Sequence, residues 1–135
     1  MVVGITGGTG FIGYHLANRF VEDGVKVRIL TRRPELVRML WPKSDAEPWE
    51  GDLTEPETLE GFVCDTRVVY HLAGETRDAH SFDMVNVTGT ENLLKVCRDQ
   101  EVTRFVHLSS VGVMGATGTG LVDESTPCNP KSLYE

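Results

Sequence analysis

Residues 1–13 read MVVGITGGTGFIG, and this stretch decides the fold. Met1–Thr6 is a short, continuous apolar run of the kind that forms a strand. Phe11–Asp23 carries apolar residues at positions i, i+4 and i+8, which is the spacing of an amphipathic helix. From the end of the strand into the start of the helix, glycines stand at every third position, namely Gly7, Gly10 and Gly13. The sequence therefore predicts a strand, a glycine-rich turn and a helix in direct succession.

The three glycines have separate physical tasks in such a turn. Gly7 permits the tight turn, Gly10 lets the backbone approach a pyrophosphate, and Gly13 lets the helix pack closely on the strand. The helix amino end, at Phe11 and Ile12, presents unpaired N–H groups and a partial positive charge that favour a diphosphate. The alternative is an ordinary glycine-rich turn. The strand and helix on either side of the glycines favour a dinucleotide site.

Short strand-like runs alternate with helical patterns along the rest of the chain. The further predicted strands are Lys26–Thr31, Glu47–Gly51, Arg67–Leu72 and Arg104–Ser109. The further predicted helices are Pro34–Leu40, Pro56–Phe62 and Ser81–Arg98. Such alternation is typical of a parallel sheet covered on both faces, and right-handed crossovers give the strand order 3-2-1-4-5. We therefore predict one α/β domain over residues 1–135, a doubly wound (Rossmann) sheet that binds a dinucleotide.

Composition excludes several other classes of protein. A net charge of −7 argues against a nucleic-acid-binding protein, which needs clustered Lys and Arg for phosphate contacts. The longest apolar run is far shorter than the roughly 20 residues that span a bilayer, so we expect no membrane segment. The three cysteines are widely spaced, without a C-x-x-C pair, and are interpreted as buried thiols in a reducing cytoplasm. No histidine has the partners that would indicate a metal site.

The end of the second predicted strand indicates which dinucleotide binds. An acidic residue there would hold the ribose 2′-OH of NAD, but this chain has Thr31, 18 residues after Gly13. Arg32 and Arg33 follow, and guanidinium groups suit a 2′-phosphate, to which they donate paired hydrogen bonds. The alternative is a solvated pair of surface arginines. The sequence thus allows NADP or NAD and favours NADP.

Further motifs follow the glycine-rich turn. They are GDLT (Gly51–Thr54), HLAG (His71–Gly74), NVTGT (Asn86–Thr90), LSSVGVMG (Leu108–Gly115) and, near the end, Tyr134. In order and spacing the set resembles the extended short-chain dehydrogenase/reductases, and most nearly their NAD-dependent epimerase/dehydratase group. The resemblance covers the whole chain.

The resemblance implies roles for residues after the third and fourth strands. The residues implied to bind the cofactor are Asp52 and Leu53, at the adenine, and Leu72, Ala73 and Gly74, along the dinucleotide. Asp52 could instead cap its own loop. His71 is interpreted as a packed core histidine without a catalytic role. Asn86 is implied to brace the central helix, and the alternative is a local hydrogen bond to the backbone.

The resemblance also implies a hydride transfer between a nicotinamide and a substrate carbon that bears a hydroxyl or carbonyl. Alignment of Val113–Gly115 with the family's V-Y-G motif places the catalytic hydroxyl on Ser110. Tyr134 would be the general acid/base, assisted by a Lys four residues later, on the same helical face. Two residues depart from the family pattern: Met114 replaces the usual Tyr, and Gly74 replaces the usual Ala.

Three functional hypotheses remain open. The first is an epimerase or dehydratase acting on a nucleotide sugar. The second is an NADP-dependent ketone or alcohol reductase, similar to steroid dehydrogenases and flavonoid reductases, and the third is a dinucleotide-binding module without turnover. Because the chain ends at Glu135, before the expected Lys and the substrate region, we expect an incomplete and inactive portion of a longer enzyme. In the family the helix Ser81–Arg98 commonly packs in a homodimer, which we therefore expect as a possible assembly.

Overall fold

A computed structural model describes residues 2–115, 118 and 120–135 of the chain. The strands are β1 (Val2–Thr6), β2 (Lys26–Thr31), β3 (Ala46–Glu50), β4 (Thr66–His71) and β5 (Arg104–His107). The α-helices are α1 (Phe11–Glu22), α2 (Pro34–Leu40), α3 (Leu59–Val63) and α4 (Gly89–Asp99). Short 3₁₀ turns cover Pro56–Thr58, Ala79–Ser81 and Val111–Met114, and a π-helical turn covers Asp83–Thr88. Met1, which was predicted to begin the first strand, lies outside the described residues.

The five strands form one parallel sheet in the order β3-β2-β1-β4-β5, as the alternation of strands and helices predicted. The predicted α/β doubly wound Rossmann fold is therefore confirmed. Because β1 is central, the residues from Val3 to Thr6 are all buried. The carboxyl ends of the parallel strands meet at one edge of the sheet, where ligands of such folds bind.

Each face of the sheet carries its own apolar core. Beneath α1 and α2 the buried residues are Val3, Ile5, Ala17, Val27, Ile29, Val37 and Trp41. Beneath α3 and α4 they are Leu30, Leu53, Leu59, Phe62, Val63, Val69, Leu93, Val96 and Cys97. Full burial of one large apolar side chain stabilises a fold by about 1.5–3 kcal/mol, so both layers hold the helices firmly on the sheet.

The helix predicted over Ser81–Arg98 differs from the observed element. The backbone passes through a 3₁₀ turn at Ala79–Ser81 and the π-helical turn before regular α-helix begins at Gly89. Gly89 is buried there, and a Cβ atom on it would lie 2.8 Å from the Cβ of Leu53, so the backbone approaches its neighbour closely. The prediction of one continuous helix was wrong in its first two turns, although its apolar face does point into the core.

The cysteines also depart from expectation. Cys97 is buried, but Cys64 and Cys128 are exposed, so the prediction of three buried thiols was wrong for two of them. Cys64 follows the end of α3, at the rim of the sheet, where the packed layers do not cover it. In the part of the chain that the structure describes, no helix has both the length and the apolar character needed to cross a membrane.

Candidate functional site

The glycine-rich turn joins β1 to α1 by the route that the sequence predicted. Gly7 has a φ of +68°, in the left-handed region, and a Cβ atom there would lie 2.7 Å from the backbone nitrogen of Ala73. The amide of Gly10 donates to the carbonyl of Gly7 at 3.0 Å, which closes the turn. A Cβ atom on Gly13 would overlap the carbonyl oxygen of Gly7. Gly7 and Gly13 therefore serve the turn and the packing between helix and strand.

The amino end of α1 is suited to an anion. Within the described residues no side chain caps this end, and the first turn holds no acidic residue. The first intrahelical hydrogen bond runs from Tyr14 N to Gly10 O at 2.8 Å, so the amides of Phe11 and Ile12 remain available. Apart from its two chain neighbours, a Cβ atom on Gly10 would meet one described atom within 4 Å, the Gly7 carbonyl oxygen at 3.2 Å. The described structure therefore leaves open space beside Gly10.

A cavity of about 190 Å³ continues from this turn across the ends of the first four strands. The predicted cofactor residues that line it are Gly7, Thr31, Arg32, Arg33, Asp52, Leu53, Ala73 and Gly74. Gly10, Phe11, Ile12 and Gly13 belong to the adjoining turn, and Leu72 is half-buried against the α1 side of the sheet. We call this space the dinucleotide cavity. It is lined by polar and apolar residues at the ends of four strands.

Arg32 and Asp52 face each other across the dinucleotide cavity. Nη1 of Arg32 lies 3.7 Å from Oδ2 of Asp52, and the Arg32 side chain is 80% exposed. The other oxygen of Asp52 accepts hydrogen bonds from the backbone N–H and the hydroxyl of Thr54, both at 2.9 Å. Asp52 therefore caps its loop, the alternative considered from the sequence, and also lines the cavity. The backbone N–H of Arg33 donates a hydrogen bond to Oγ1 of Thr31 at 3.0 Å.

A second cavity, of about 230 Å³, contains the predicted catalytic pair. Its lining includes Ser110 and Tyr134, with Asn86, Thr90 and His107 beside them. Oγ of Ser110 accepts a hydrogen bond from Gly112 N at 3.1 Å, and the Tyr134 ring packs edge-to-face on Phe82, with ring centroids 5.8 Å apart. We call this space the Ser–Tyr cavity. The tertiary structure thus brings together two residues that lie 24 positions apart in the sequence.

Ala73 and Gly74 line both cavities. The two spaces are thus neighbours, separated by the backbone segment Ala73–Glu75, which we call the shared wall. The side-chain amide of Asn86 holds this wall, since its Nδ2 donates to Glu75 O at 2.9 Å and its Oδ1 accepts from Glu75 N at 2.7 Å. Asn86 therefore braces the wall from the π-helical turn.

Sequence reasoning missed several lining residues of the dinucleotide cavity. They are Thr6, Thr9, Leu30, Gly51, Glu75 and Val85. The first two flank glycines of the turn, and Glu75 directly follows the HLAG motif, so their positions at strand ends were a usable signal. Nothing in the sequence singles out Val85, because its place depends on how the π-helical turn packs against the sheet.

His71 is buried, as expected of a packed core histidine, at 1% exposure. Its imidazole makes two hydrogen bonds, to the Thr6 hydroxyl at 2.7 Å and to the Thr90 hydroxyl at 2.9 Å. Burial, and then the nearby His107, lowers the pKa of His71 from 6.5 to about 4. The ring is therefore neutral near pH 7.

Comparison with known proteins shows to which family the chain is similar. A model of the NAD dependent epimerase/dehydratase family matches residues 3–135. The 4-hydroxy-2-methyl-3-oxo-4-farnesyl-3,4-dihydroquinoline-1-oxide ketoreductase of Stigmatella aurantiaca is 37% identical over 129 residues, covering 91% of this chain and 38% of that protein. The ceramide reductase of Caulobacter vibrioides is 35% identical, covering 82% of this chain and 35% of that protein. The chain thus spans well under half the length of these curated relatives.

Solved structures agree with the sequence matches. The UDP-glucose 4-epimerase of Thermus thermophilus, in complex with NAD, superposes with a TM-score of 0.83 at 31% identity, over 99% of this chain and 46% of that one. The dTDP-glucose 4,6-dehydratase DesIV of Streptomyces venezuelae, with NAD bound, gives a TM-score of 0.88 at 27% identity, over 99% of this chain and 47% of that one. Sugar-modifying enzymes and reductases are therefore both among the similar proteins.

Proposed function

This chain belongs to the NAD dependent epimerase/dehydratase family, and we propose that it forms the cofactor-binding part of an enzyme that transfers hydride to or from a small-molecule substrate. The substrate carbon would bear a hydroxyl or carbonyl group. The observation that carries the proposal is the shared wall, because it places the dinucleotide cavity directly beside the Ser–Tyr cavity. A bound nicotinamide dinucleotide supplies the hydride acceptor or donor.

The residues of the chain have distinct tasks in this proposal. The open amides of Phe11 and Ile12 bind the pyrophosphate, while Asp52 and Leu53 frame the adenine. Tyr134 exchanges a proton with the substrate oxygen, and the Ser110 hydroxyl donates a hydrogen bond to the same oxygen. Such positioned acid–base groups contribute typically about 10²–10⁴-fold to rate.

A nucleotide sugar is the first candidate substrate, supported by the overall motif set and by the family to which the chain belongs. The second candidate is a simple ketone or alcohol, reduced or oxidised with NADP. Arg32 and Arg33 favour it, because they line the dinucleotide cavity where NAD-binding proteins carry an acid. Met114, in place of the family's Tyr, favours it as well.

The test of catalysis uses the whole protein that contains this chain. Product formation is followed by chromatography on nucleotide sugars and on simple ketones, together with the absorbance of the reduced nicotinamide. We expect Tyr134→Phe and Ser110→Ala each to lower kcat by about 10²-fold or more while dinucleotide affinity is retained. Full activity of Tyr134→Phe would contradict the proposal, and binding without any turnover would favour the non-catalytic alternative.

Cofactor choice is tested on the chain itself. Loss of a charge-assisted hydrogen bond to phosphate costs about 1.5–3 kcal/mol, or roughly 10–150-fold in affinity. Replacing both Arg32 and Arg33 with Ala should weaken NADP binding by that order and leave NAD binding nearly unchanged, as measured by titration calorimetry. Arg38→Ala, on the exposed side of α2, is the matched control. If the unmutated chain binds NAD more tightly than NADP, the preference is wrong.

We also propose that the outer side of the π-helical turn and α4 packs against a second copy. Met84, Val87 and Leu94 are 60%, 51% and 44% exposed and recur at near-helical spacing along this side. Leu94→Glu should then convert a dimer of the whole protein to a monomer in sedimentation experiments, while Lys95→Glu, one position away, should have less effect.

The free cysteines, together with the family, favour a cytoplasmic location.

A further inference from the structure

A ring of hydrogen bonds encloses the shared wall, and His71 is its central member. On one side Ala73 N donates to Oγ1 of Thr6 at 3.1 Å, and this hydroxyl contacts His71 Nδ1 at 2.7 Å. On the other side His71 Nε2 lies 2.9 Å from Oγ1 of Thr90. The Thr90 hydroxyl in turn donates to Asn86 O at 2.7 Å. The side chain of Asn86 closes the ring on Glu75, two residues beyond Ala73.

The directions of these bonds follow from the number of protons available. Thr90 has one hydroxyl proton, which goes to Asn86 O, so toward His71 its oxygen can only accept. His71 therefore donates from Nε2. Because the buried ring is neutral, its Nδ1 must accept, and the Thr6 hydroxyl donates to it. The oxygen of Thr6 then keeps its lone pairs for the N–H of Ala73, and each polar group of the ring has a partner.

Packing alone does not account for an imidazole at this position. The residue is 1% exposed and packs near the rings of Phe105 and His107, an environment in which Leu or Phe would cost less desolvation. An apolar side chain would leave the buried Thr6 hydroxyl without its acceptor. The imidazole instead joins Thr6, which precedes Gly7, to Thr90 in α4, which directly follows the π-helical turn that carries Asn86. Thr6 and Asn86 both hydrogen-bond to the backbone of the shared wall.

We propose that His71 is a positioning residue of the dinucleotide site, which holds the shared wall between the two cavities through the hydroxyls of Thr6 and Thr90. This inference rests on the proposed function, because the wall matters only if a dinucleotide lies along it. A His71→Leu substitution frees the Thr6 hydroxyl and disconnects the two sides of the ring. The backbone from Ala73 to Glu75 then loses its fixed position.

The experiment compares variants of the chain by titration calorimetry with NADP and with NAD. We expect His71→Leu and Thr6→Val each to weaken the binding of both dinucleotides by about tenfold. The two losses should be similar, because the shared wall does not contact the 2′-phosphate that distinguishes NADP from NAD. Thr6→Ser keeps the hydroxyl and should restore binding to within about twofold. The matched control is Thr66→Val, which removes another buried hydroxyl from β4, at the opposite end of the strand. It should leave both affinities nearly unchanged.

A second measurement does not depend on binding. Amide hydrogen exchange of Ala73 and Glu75 should accelerate by about tenfold or more in His71→Leu and Thr6→Val, but not in Thr66→Val. If His71→Leu fails to fold, the comparison of Thr6→Val with Thr6→Ser carries the test. Equal loss of affinity in His71→Leu and Thr66→Val, or unchanged exchange at Ala73, would overturn the inference. Absence of dinucleotide binding by the unmutated chain would instead overturn the proposed function, and the exchange rates would then decide the role of His71 alone.

Discussion

The carbonyl oxygen of Gly7 occupies the place where a Cβ atom on Gly13 would lie. The end of β1 and the first turn of α1 are therefore in direct backbone contact. Gly10, between them, faces open space: apart from its chain neighbours, a Cβ atom there would meet only that same oxygen within 4 Å among the described residues. Two glycines of one motif thus serve the fold, whereas the third leaves room for a ligand. Substitutions at Gly13 and at Gly10 should therefore have different effects on stability and on dinucleotide binding.

Gly13→Ala should destabilise the chain. Its methyl group would overlap the Gly7 carbonyl, and neither backbone segment can move without disturbing the sheet. We expect the free energy of unfolding to fall by about 3 kcal/mol, at the upper end of the range for overpacked sites. Urea unfolding followed by circular dichroism gives the value. A stability equal to that of the unmutated chain would mean that the turn has a different geometry.

Gly10→Val should abolish binding without unfolding the chain. Gly10 has a φ of −81° and a ψ of 175°, an extended conformation that valine adopts readily. We expect the free energy of unfolding to change by no more than about 1 kcal/mol, because the residue only begins the helix. The isopropyl group would fill the space proposed for the pyrophosphate, so calorimetry should detect no tight dinucleotide binding. Unchanged affinity would place the site elsewhere.

Stability should fall between pH 6.5 and pH 4 because of His71. Its pKa is lowered from 6.5 to about 4, chiefly by burial, so in this range the unfolded chain binds a proton that the folded chain does not. The contribution of neutral His71 to the free energy of unfolding is fully present above pH 6.5, and about 3 kcal/mol of it is lost as the pH approaches 4. Urea unfolding at a series of pH values should show this fall in the free energy of unfolding with decreasing pH for the unmutated chain. The dependence on pH should be much flatter for His71→Leu. Parallel slopes would assign the effect to other groups.

The three cysteines should differ in reactivity. Burial raises the pKa of the Cys97 thiol to about 12, so it stays protonated and covered. Cys64 and Cys128 are exposed. Mass spectrometry after brief treatment with iodoacetamide at pH 8 should find adducts on these two alone, with Cys97 labelled only in urea. Rapid labelling of Cys97 in the folded chain would show that α4 opens from the sheet.

Much of the fold could be predicted from local patterns. The bounds of β2 and α2 agree residue for residue with the predicted segments Lys26–Thr31 and Pro34–Leu40, because strand periodicity and an early proline act within a few residues. The helix at 81–98 was less predictable, since its first turns are a 3₁₀ turn and a π-helical turn, which the spacing of apolar residues does not distinguish from α-helix. Its apolar face was nevertheless predictable, because that face is set by spacing.

The sequence by itself determined the order of strands and helices, the glycine-rich turn and the residues after each strand that face the sheet edge. These features depend on the spacing of apolar residues, on the backbone conformations that glycine allows and on the handedness of crossovers. The first two are local in the sequence, and the third is common to parallel α/β sheets. Only the tertiary structure decided that Ala73 and Gly74 separate the two cavities, that Asn86 clamps Glu75, and that Cys64 and Cys128 stay exposed. Those features arise where distant segments meet, and the positions of their atoms depend on packing and hydrogen bonding that no single segment encodes.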